Sequence, residues 1–249
     1  KGRIGLEDCL SKNTYNKSTK SRASNSLTVH QDTIQMGGTL VNGLRYAVLL
    51  KAQCEGGSIS SEGNALHFND VDTLTILLAA ETDYVMDMSR DWRGTDPLPV
   101  VKQRIADASN KSFGAMRDAH VQEYRGYYDR FSVDVGTTGP DRVGKPTDVR
   151  LKLFQEDKDT GADPDLRELI VNYARYLMIS CSRPGCLPAN RQGHWNDNNS
   201  PPWRSDYHSN INIQLNYWYC LPMNLADCHQ VFCDYIMGMR QPRLEATPK

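Results

Sequence analysis

The apolar pattern of this chain changes period once, at Asp96-Pro97-Leu98-Pro99, and that change limits the possible folds more than any other feature. Upstream, short β-type runs occupy 27–29, 44–52, 58–60, 66–68 and 74–80, separated by Gly37-Gly38, Asn42-Gly43, Gly56-Gly57 and Gly63-Asn64. Runs of this length, punctuated by turn dipeptides, predict an antiparallel sheet or sandwich. Two are continuously apolar, Ala47-Val48-Leu49-Leu50 and Ile76-Leu77-Leu78-Ala79-Ala80. They predict strands covered on both faces, although a buried helical segment gives the same pattern.

Downstream the spacing is helical. Val101, Ile105 and Ala108 form one stripe, and Phe113, Met116, Val121, Tyr124 and Tyr128 a second, with a break near Ser112-Phe113-Gly114. A loop is predicted over 135–147, where three Gly and two Pro fall. At Ala162-Asp163-Pro164-Asp165 a helix is predicted to start: Asp163 caps free amides, and Pro164 takes the first helical position, which needs no donor. Its apolar stripe is Leu166, Leu169, Ile170, Tyr173, Leu177 and Met178, and Ser182-Arg183-Pro184-Gly185 ends it. A second capped helix is predicted from Asn224, with Asp227 three residues on as in a capping box, and Cys228, Phe232, Tyr235, Ile236 and Met239 on its core face.

The expected organisation is multidomain β + α. Residues 1–26, rich in Ser, Thr, Asn and Lys, form a flexible or loop segment; 27–99 an antiparallel β-sandwich portion; 100–147 a helical connector and interdomain loop; 148–249 the start of an all-helical domain. With 249 residues and 39% hydrophobic content the chain is long enough for a substantial core. Its 29 basic and 30 acidic residues are interspersed, so no nucleic-acid or anionic-membrane footprint stands out. No run approaches the ~18 apolar residues of a membrane span, and no apolar signal core follows Lys1-Gly2-Arg3. Seven cysteines (Cys9, Cys54, Cys181, Cys186, Cys220, Cys228, Cys233) match no zinc spacing, so neither metal nor cofactor is expected. Buried free thiols are the expectation, with a Cys181–Cys186 bridge around Pro184-Gly185 the alternative.

Residues 187–218 concentrate the chemistry, combining Trp195 and Trp203 with amides, His and Asp. Sugar recognition needs that mixture, since pyranose C–H faces rest on aromatic rings while the hydroxyls require convergent donors and acceptors. Within it, His208-Ser209-Asn210-Ile211-Asn212-Ile213-Gln214 alternates polar with small or apolar residues. An extended backbone would turn His208, Asn210, Asn212 and Gln214 to one side. A helix would instead group His208 with Asn212 and Asn216 and remove Asn210. The competing reading is a loop whose side chains satisfy buried backbone groups.

Leu187-Pro188-Ala189-Asn190, Gly193-His194-Trp195-Asn196, Pro201-Pro202-Trp203, Ser205-Asp206-Tyr207-His208 and Asn210-Ile211-Asn212-Ile213-Gln214-Leu215-Asn216-Tyr217-Trp218, in this order, resemble the most recognisable block of glycoside hydrolase family 95. The resemblance extends back through Ser112-Phe113, the string His-Val-Gln-Glu-Tyr-Arg-Gly-Tyr-Tyr at 120–128, and Phe131, and covers most of the chain after residue 25. It implies an N-terminal β-sandwich, a helical linker, an (α/α)6 barrel carrying the site, and a C-terminal β domain. It also implies inverting removal of terminal α-L-fucose from oligosaccharides, most often α-1,2-linked, with α-L-galactosides preferred by some members. By residue, it implies that His208 binds sugar hydroxyls, Asn210 positions water and substrate, and Asn212 is the water-activating amide; Trp195 and Trp203 join them as substrate-binding residues.

The Glu acid and the Asp that polarises the catalytic amide lie, in the family, beyond the position of Lys249. The expectation is therefore an incomplete barrel, inactive alone, whose helices expose apolar faces unless the remainder of the barrel covers them. Among local carboxylates, Asp197 and Asp206 flank the block and Glu123 sits on the connector. Asp206 reads as a turn or capping group for Tyr207-His208, and Glu123 with Arg125 as a solvated helix face. Alternatives are another (α/α)6 carbohydrate enzyme, an α-L-galactosidase or a glycoside phosphorylase, and a non-catalytic sugar-binding module built on Trp195, Trp203 and His208. The implied partner is a fucosylated oligosaccharide and the implied location secreted, periplasmic or cell-surface.

Overall fold

The computed structural model describes residues 1–7, 22–156, 161–196 and 201–247. Expectations placed on 8–21 and on Asp197 lie outside these residues. Two compact units result, Lys1–Ala119 and His120–Lys249.

The first unit contains β1 (Gly2–Gly5), β2 (Arg22–His30), β3 (Thr33–Leu40), β4 (Arg45–Glu55), β5 (Ser58–Glu62), β6 (Ala65–Asn69), β7 (Thr73–Thr82) and α1 (Pro97–Ser109). One sheet is ordered β1-β6-β5 and the other β2-β3-β4-β7, all neighbours antiparallel. The Gly56-Gly57 connection, which carries the chain from β4 in one sheet to β5 in the other, is left-handed at both residues, with φ of 69° and 57°. Glycine is required at the second position, where a Cβ would sit 2.2 Å from the Asn69 carbonyl oxygen.

Period-two alternation explains the layering. Leu50 and Ala52 of β4 meet Ile34 and Leu66 in one buried cluster, while Ala47 and Leu49 meet Leu77 and the Val101 and Ile105 stripe of α1 in another. β4 is thus covered on both faces, as its apolar run predicts. β7 departs from that expectation: Leu77 is buried, but Ile76 and Leu78 are 48% and 61% exposed. Periodicity carries no information about how far an opposing layer extends sideways, and β7 is an edge strand. The loop expected over 1–26 also contains strand: Gly2–Gly5 pairs with β6, and Arg22–His30 with β3. Ladder bonds are main-chain bonds, so the polar run Ser24-Asn25-Ser26 does not prevent pairing.

The boundary between units falls within α2 (Phe113–Tyr128). The second unit continues through α3 (Pro140–Val143), α4 (Thr147–Glu156), α5 (Pro164–Cys181), α6 (Asn212–Tyr217), α7 (Ala226–Gly238) and α8 (Arg240–Ala246). Asp163 caps α5 as predicted, accepting from Leu166 N at 3.1 Å with Pro164 behind it. Its carboxylate, fully buried, also accepts from Thr138 Oγ1 at 2.7 Å and from Arg150 Nη2 at 2.6 Å. The Arg150 guanidinium holds that carboxyl far below the usual carboxylate range.

The predicted α5 stripe is rotated. Leu166, Arg175, Met178 and Ile179 are buried, whereas Leu169, Ile170, Tyr173 and Tyr176 are exposed. The cause is Arg175, which donates to the carbonyls of Tyr127, Tyr128 and Phe131 at the end of α2 and lies over the Tyr128 and Phe131 rings. Carbonyls left open at a helix C-terminus accept a cation readily, and a buried guanidinium there turns the neighbouring apolar residues outward. The second cap differs too: α7 begins at Ala226 behind Leu225, without a side-chain cap bond. Asn224 is left-handed and donates to the Arg130 carbonyl, and Asp227 pairs with Arg130 at 2.7 Å. On α7, Cys228 and Val231 are buried, Phe232 and Tyr235 pack against the core, and Ile236 is exposed.

The architecture is therefore β plus α with antiparallel sheets. Cys54, Cys181, Cys186, Cys220, Cys228 and Cys233 are all free thiols, so the Cys181–Cys186 alternative does not occur. Burial pushes the Cys220 thiol up to about 12 and that of Cys228 up to about 11. No helix among the described residues is long and apolar enough to cross a membrane.

Candidate functional site

The 187–218 block is built on one buried cluster: Met178 and Ile179 of α5, Ala189, Ile213 and Tyr217 of α6, then Cys220, Leu225 and Cys228. Through it runs a directed hydrogen-bond chain. The Ala189 N–H donates to the Tyr217 hydroxyl at 2.7 Å; that hydroxyl lies 2.8 Å from Ser182 Oγ, which donates to the Cys228 carbonyl at 3.0 Å. Since Ser182 spends its proton on Cys228, Tyr217 donates to Ser182. Burial pushes the Tyr217 phenol up to about 12, so it keeps its proton at neutral pH.

Several amides of the block hold its backbone together. Asn190 Nδ2 donates to the Ser205 carbonyl at 2.9 Å, and its Oδ1 accepts from Gln192 N at 2.8 Å. Gln192 Nε2 reaches the Pro202 carbonyl, Asn216 Nδ2 the Asn190 carbonyl at 3.0 Å, and the Tyr207 hydroxyl the Pro188 carbonyl at 2.8 Å. For Asn190, Gln192 and Asn216 the loop-tying reading is thus the structural one. Asn210 and Asn212 are different. Residues 209–211 form a turn, α6 starts at Asn212, and the Ile213 N–H donates to the His208 carbonyl at 3.2 Å, closing the backbone around both. Among the described residues neither side-chain amide has a hydrogen-bond partner. The helical alternative holds only from Asn212 onward, where Asn212 and Asn216 share a face of α6, and His208 precedes the helix.

His208 belongs to a second cluster. Its Nδ1 lies 2.5 Å from Asp206 Oδ1, and its ring meets Trp203 edge-on at 5.1 Å between centroids. Over the Trp203 ring stands the Arg191 guanidinium, 4.7 Å from the centroid. The segment leading into this cluster is strained: Trp203, Arg204 and Ser205 are consecutively left-handed, with φ of 55°, 56° and 52°. Each left-handed residue other than glycine costs roughly 1–2 kcal/mol. Runs of that kind persist where surrounding contacts over-determine them, most often at functional sites. Trp195 stands apart from the cluster. It packs on Gly193, where a Cβ would come within 2.8 Å of its ring, and lines a cavity of about 320 Å³ with Asn190, Arg191, Leu215, Asn216 and Tyr219. Trp195 is 48% and Trp203 60% exposed, the latter with Arg191 over one ring face.

Five predicted site residues therefore fall into three groups: His208 with Trp203, the unpartnered Asn210 and Asn212, and Trp195 on the neighbouring cavity. Sequence reasoning missed Arg191, and gave Asp206 a turn role where the structure places it on the imidazole. The spacing of Asp206 and His208, two apart, was the available signal, but only the turn that follows Trp203 brings their side chains together. Glu123 and Arg125 are exposed on the helix face as expected, and Glu123 also pairs with Arg183. No group of three or more His, Cys, Asp or Glu able to hold a metal occurs among the described residues.

Residues 112–248 match the Glycosyl hydrolase family 95 catalytic domain. The chain is 35% identical over 204 residues to "Alpha-L-fucosidase 2" of Arabidopsis thaliana, an alignment covering 79% of this chain and 24% of that protein. It is 30% identical over 245 residues to "Probable alpha-fucosidase A" of Aspergillus niger, covering 96% and 30% respectively. The corresponding Aspergillus oryzae protein is 30% identical over 207 residues, covering 81% and 28%. The chain thus spans between about a quarter and a third of the length of these relatives.

Proposed function

The chain belongs to glycosyl hydrolase family 95, and from that premise we propose that it supplies the sugar-contacting part of an α-L-fucosidase active on fucosylated oligosaccharides. The observation that carries this reading is the pair of amides without a partner among the described residues, Asn210 and Asn212, held in a closed turn of a block where Asn190, Gln192, Gln214 and Asn216 are spent on backbone carbonyls. In the proposed mechanism Asn212 orients and polarises the attacking water, Asn210 positions water and substrate, and His208 binds sugar hydroxyls. Trp203 and Trp195 offer their exposed rings to the saccharide. Hydrolysis proceeds with inversion, the water arriving on the face opposite the leaving oxygen.

An amide is too weak a base to act unaided, so the mechanism requires a carboxylate against Asn212 and an acid at the leaving oxygen. We place both on the remainder of an (α/α)6 barrel that also covers the exposed α5 face of Leu169, Ile170, Tyr173 and Tyr176. The domain layout is proposed accordingly: a β-sandwich portion to residue 99, a connector to 147 and the first part of the barrel from 148. The preferred linkage is α-1,2 and the setting extracytoplasmic, where such oligosaccharides are met. The test is hydrolysis of an α-1,2-fucosylated oligosaccharide by the 249-residue chain and by a form extended through the family's downstream barrel segment. Turnover by the extended form alone is expected. Turnover by the shorter chain would put the acid within these residues and overturn the assignment.

A further inference from the structure

Asp206 and His208 sit two residues apart, yet their side chains close to 2.5 Å between Oδ1 and Nδ1. A carboxylate only accepts hydrogen bonds, so the imidazole nitrogen facing it carries a proton whether His208 is neutral or charged. The proton that distinguishes the two tautomers is thereby fixed on Nδ1. Nε2, which has no partner among the described residues, is left as the ligand-facing atom. Trp203 fixes the ring plane from the side, its own face held by Arg191. The left-handed run from Trp203 to Ser205 is the backbone path that delivers Asp206 to this position.

We propose that Asp206 is the positioning residue of His208: it holds the imidazole as the Nδ1–H tautomer so that neutral Nε2 accepts a hydrogen bond from a hydroxyl of the bound L-fucosyl unit. This rests on the reading of His208 as a sugar-binding residue and adds to it the direction of the bond, from sugar to protein. The same imidazole in the opposite tautomer would present a donor, and a hydroxyl hydrogen-bonded to it would have to reverse its own partners.

The measurement is long-range proton–nitrogen NMR on the chain labelled with 15N-histidine, with the His208 signals assigned by their loss in His208→Gln. In the wild type at a pH where the ring is neutral, Nδ1 is expected to carry the proton and Nε2 to be bare, with added L-fucose shifting the Nε2 resonance. Asp206→Ala should return the ring to a mixture dominated by Nε2–H and weaken the fucose response at least tenfold, while Asp206→Asn, which keeps an acceptor oxygen, should restore the wild-type tautomer. A wild-type ring protonated on Nε2 would overturn the proposal without any variant, so a misfolded Asp206→Ala leaves it decidable. A fucose response that survives Asp206→Ala undiminished would also sink the role of Asp206 while sparing His208. No fucose response in the wild type, with the Nδ1–H tautomer in place, would remove the sugar-binding role of His208 and this inference with it.

Discussion

Asp163 accepts from a backbone amide, a threonine hydroxyl and a guanidinium while fully buried, and so ties α5 to α4 and to the segment before α3. Its helix-capping role is legible from Asp163-Pro164; its pairing with Arg150, 13 residues earlier, is not, because nothing in the local pattern marks Arg150 as buried. Removing one member of a buried pair strands the other, so Asp163→Ala should cost about 3–5 kcal/mol in denaturant unfolding. The sign with pH follows from its depressed ionisation. The carboxylate contributes stability that is complete above the unfolded-state value near 4 and is lost as pH falls through the lower folded-state value. Wild-type stability should therefore decline below about pH 4, and an Asp163→Asn variant should show a shallower acid limb. An acid limb unchanged by the substitution would assign the pH dependence elsewhere. At the site, the chemical types needed for sugar were legible residue by residue, but which amides are free and which are spent was not. Asn190 and Asn212 look alike in sequence; only the turn geometry separates them.

Elements were most legible where a local rule decides them. Gly56-Gly57 between two β-type runs reads as a turn and is one, carrying the chain from the sheet of β4 to that of β5, with its second glycine pressed against the Asn69 carbonyl. Gly57→Ala adds both a left-handed penalty and that collision, and should lower stability by about 1–3 kcal/mol or more, with the loss seen as a lower thermal midpoint of the first unit. A variant as stable as wild type would mean that the turn relaxes to another form. α1 likewise buries the stripe its spacing gives, Val101 and Ile105. α5 does not, because a hydrophobic periodicity assumes that charged residues stay outside, and Arg175 instead answers the open carbonyls of α2. The polar strand from Arg22 was unreadable for a related reason: its stabilising bonds are main-chain bonds, to which side-chain pattern is blind.

At the scale of the whole molecule, the order of a β region followed by helices was legible from the single change of period at 96–99, and both units have their own buried clusters. The outer face of α5 is open to solvent among the described residues. Leu169 and Ile170 are 42% and 47% exposed beside Tyr173 and Tyr176, an apolar strip of the kind that drives association. The isolated chain should bind a hydrophobic dye and self-associate with rising concentration. Ile170→Lys with Leu169→Glu should reduce both without changing the far-ultraviolet circular dichroism, and dye binding that persists unchanged would locate the sticky surface elsewhere.

The central claim is that the closed turn carrying Asn210 and Asn212 presents catalytic amides to a fucoside. The most direct test is single-turnover hydrolysis of an α-1,2-fucosylated oligosaccharide by the form extended through the barrel, wild type against Asn212→Asp and Asn212→Ala, with substrate binding measured alongside. The account predicts a loss of at least a hundredfold in the chemical step for both, corresponding to about 2.7 kcal/mol of transition-state stabilisation, with substrate affinity changed far less. Wild-type rates in Asn212→Ala would contradict it and return Asn212 to the ordinary role of a residue at the start of a helix.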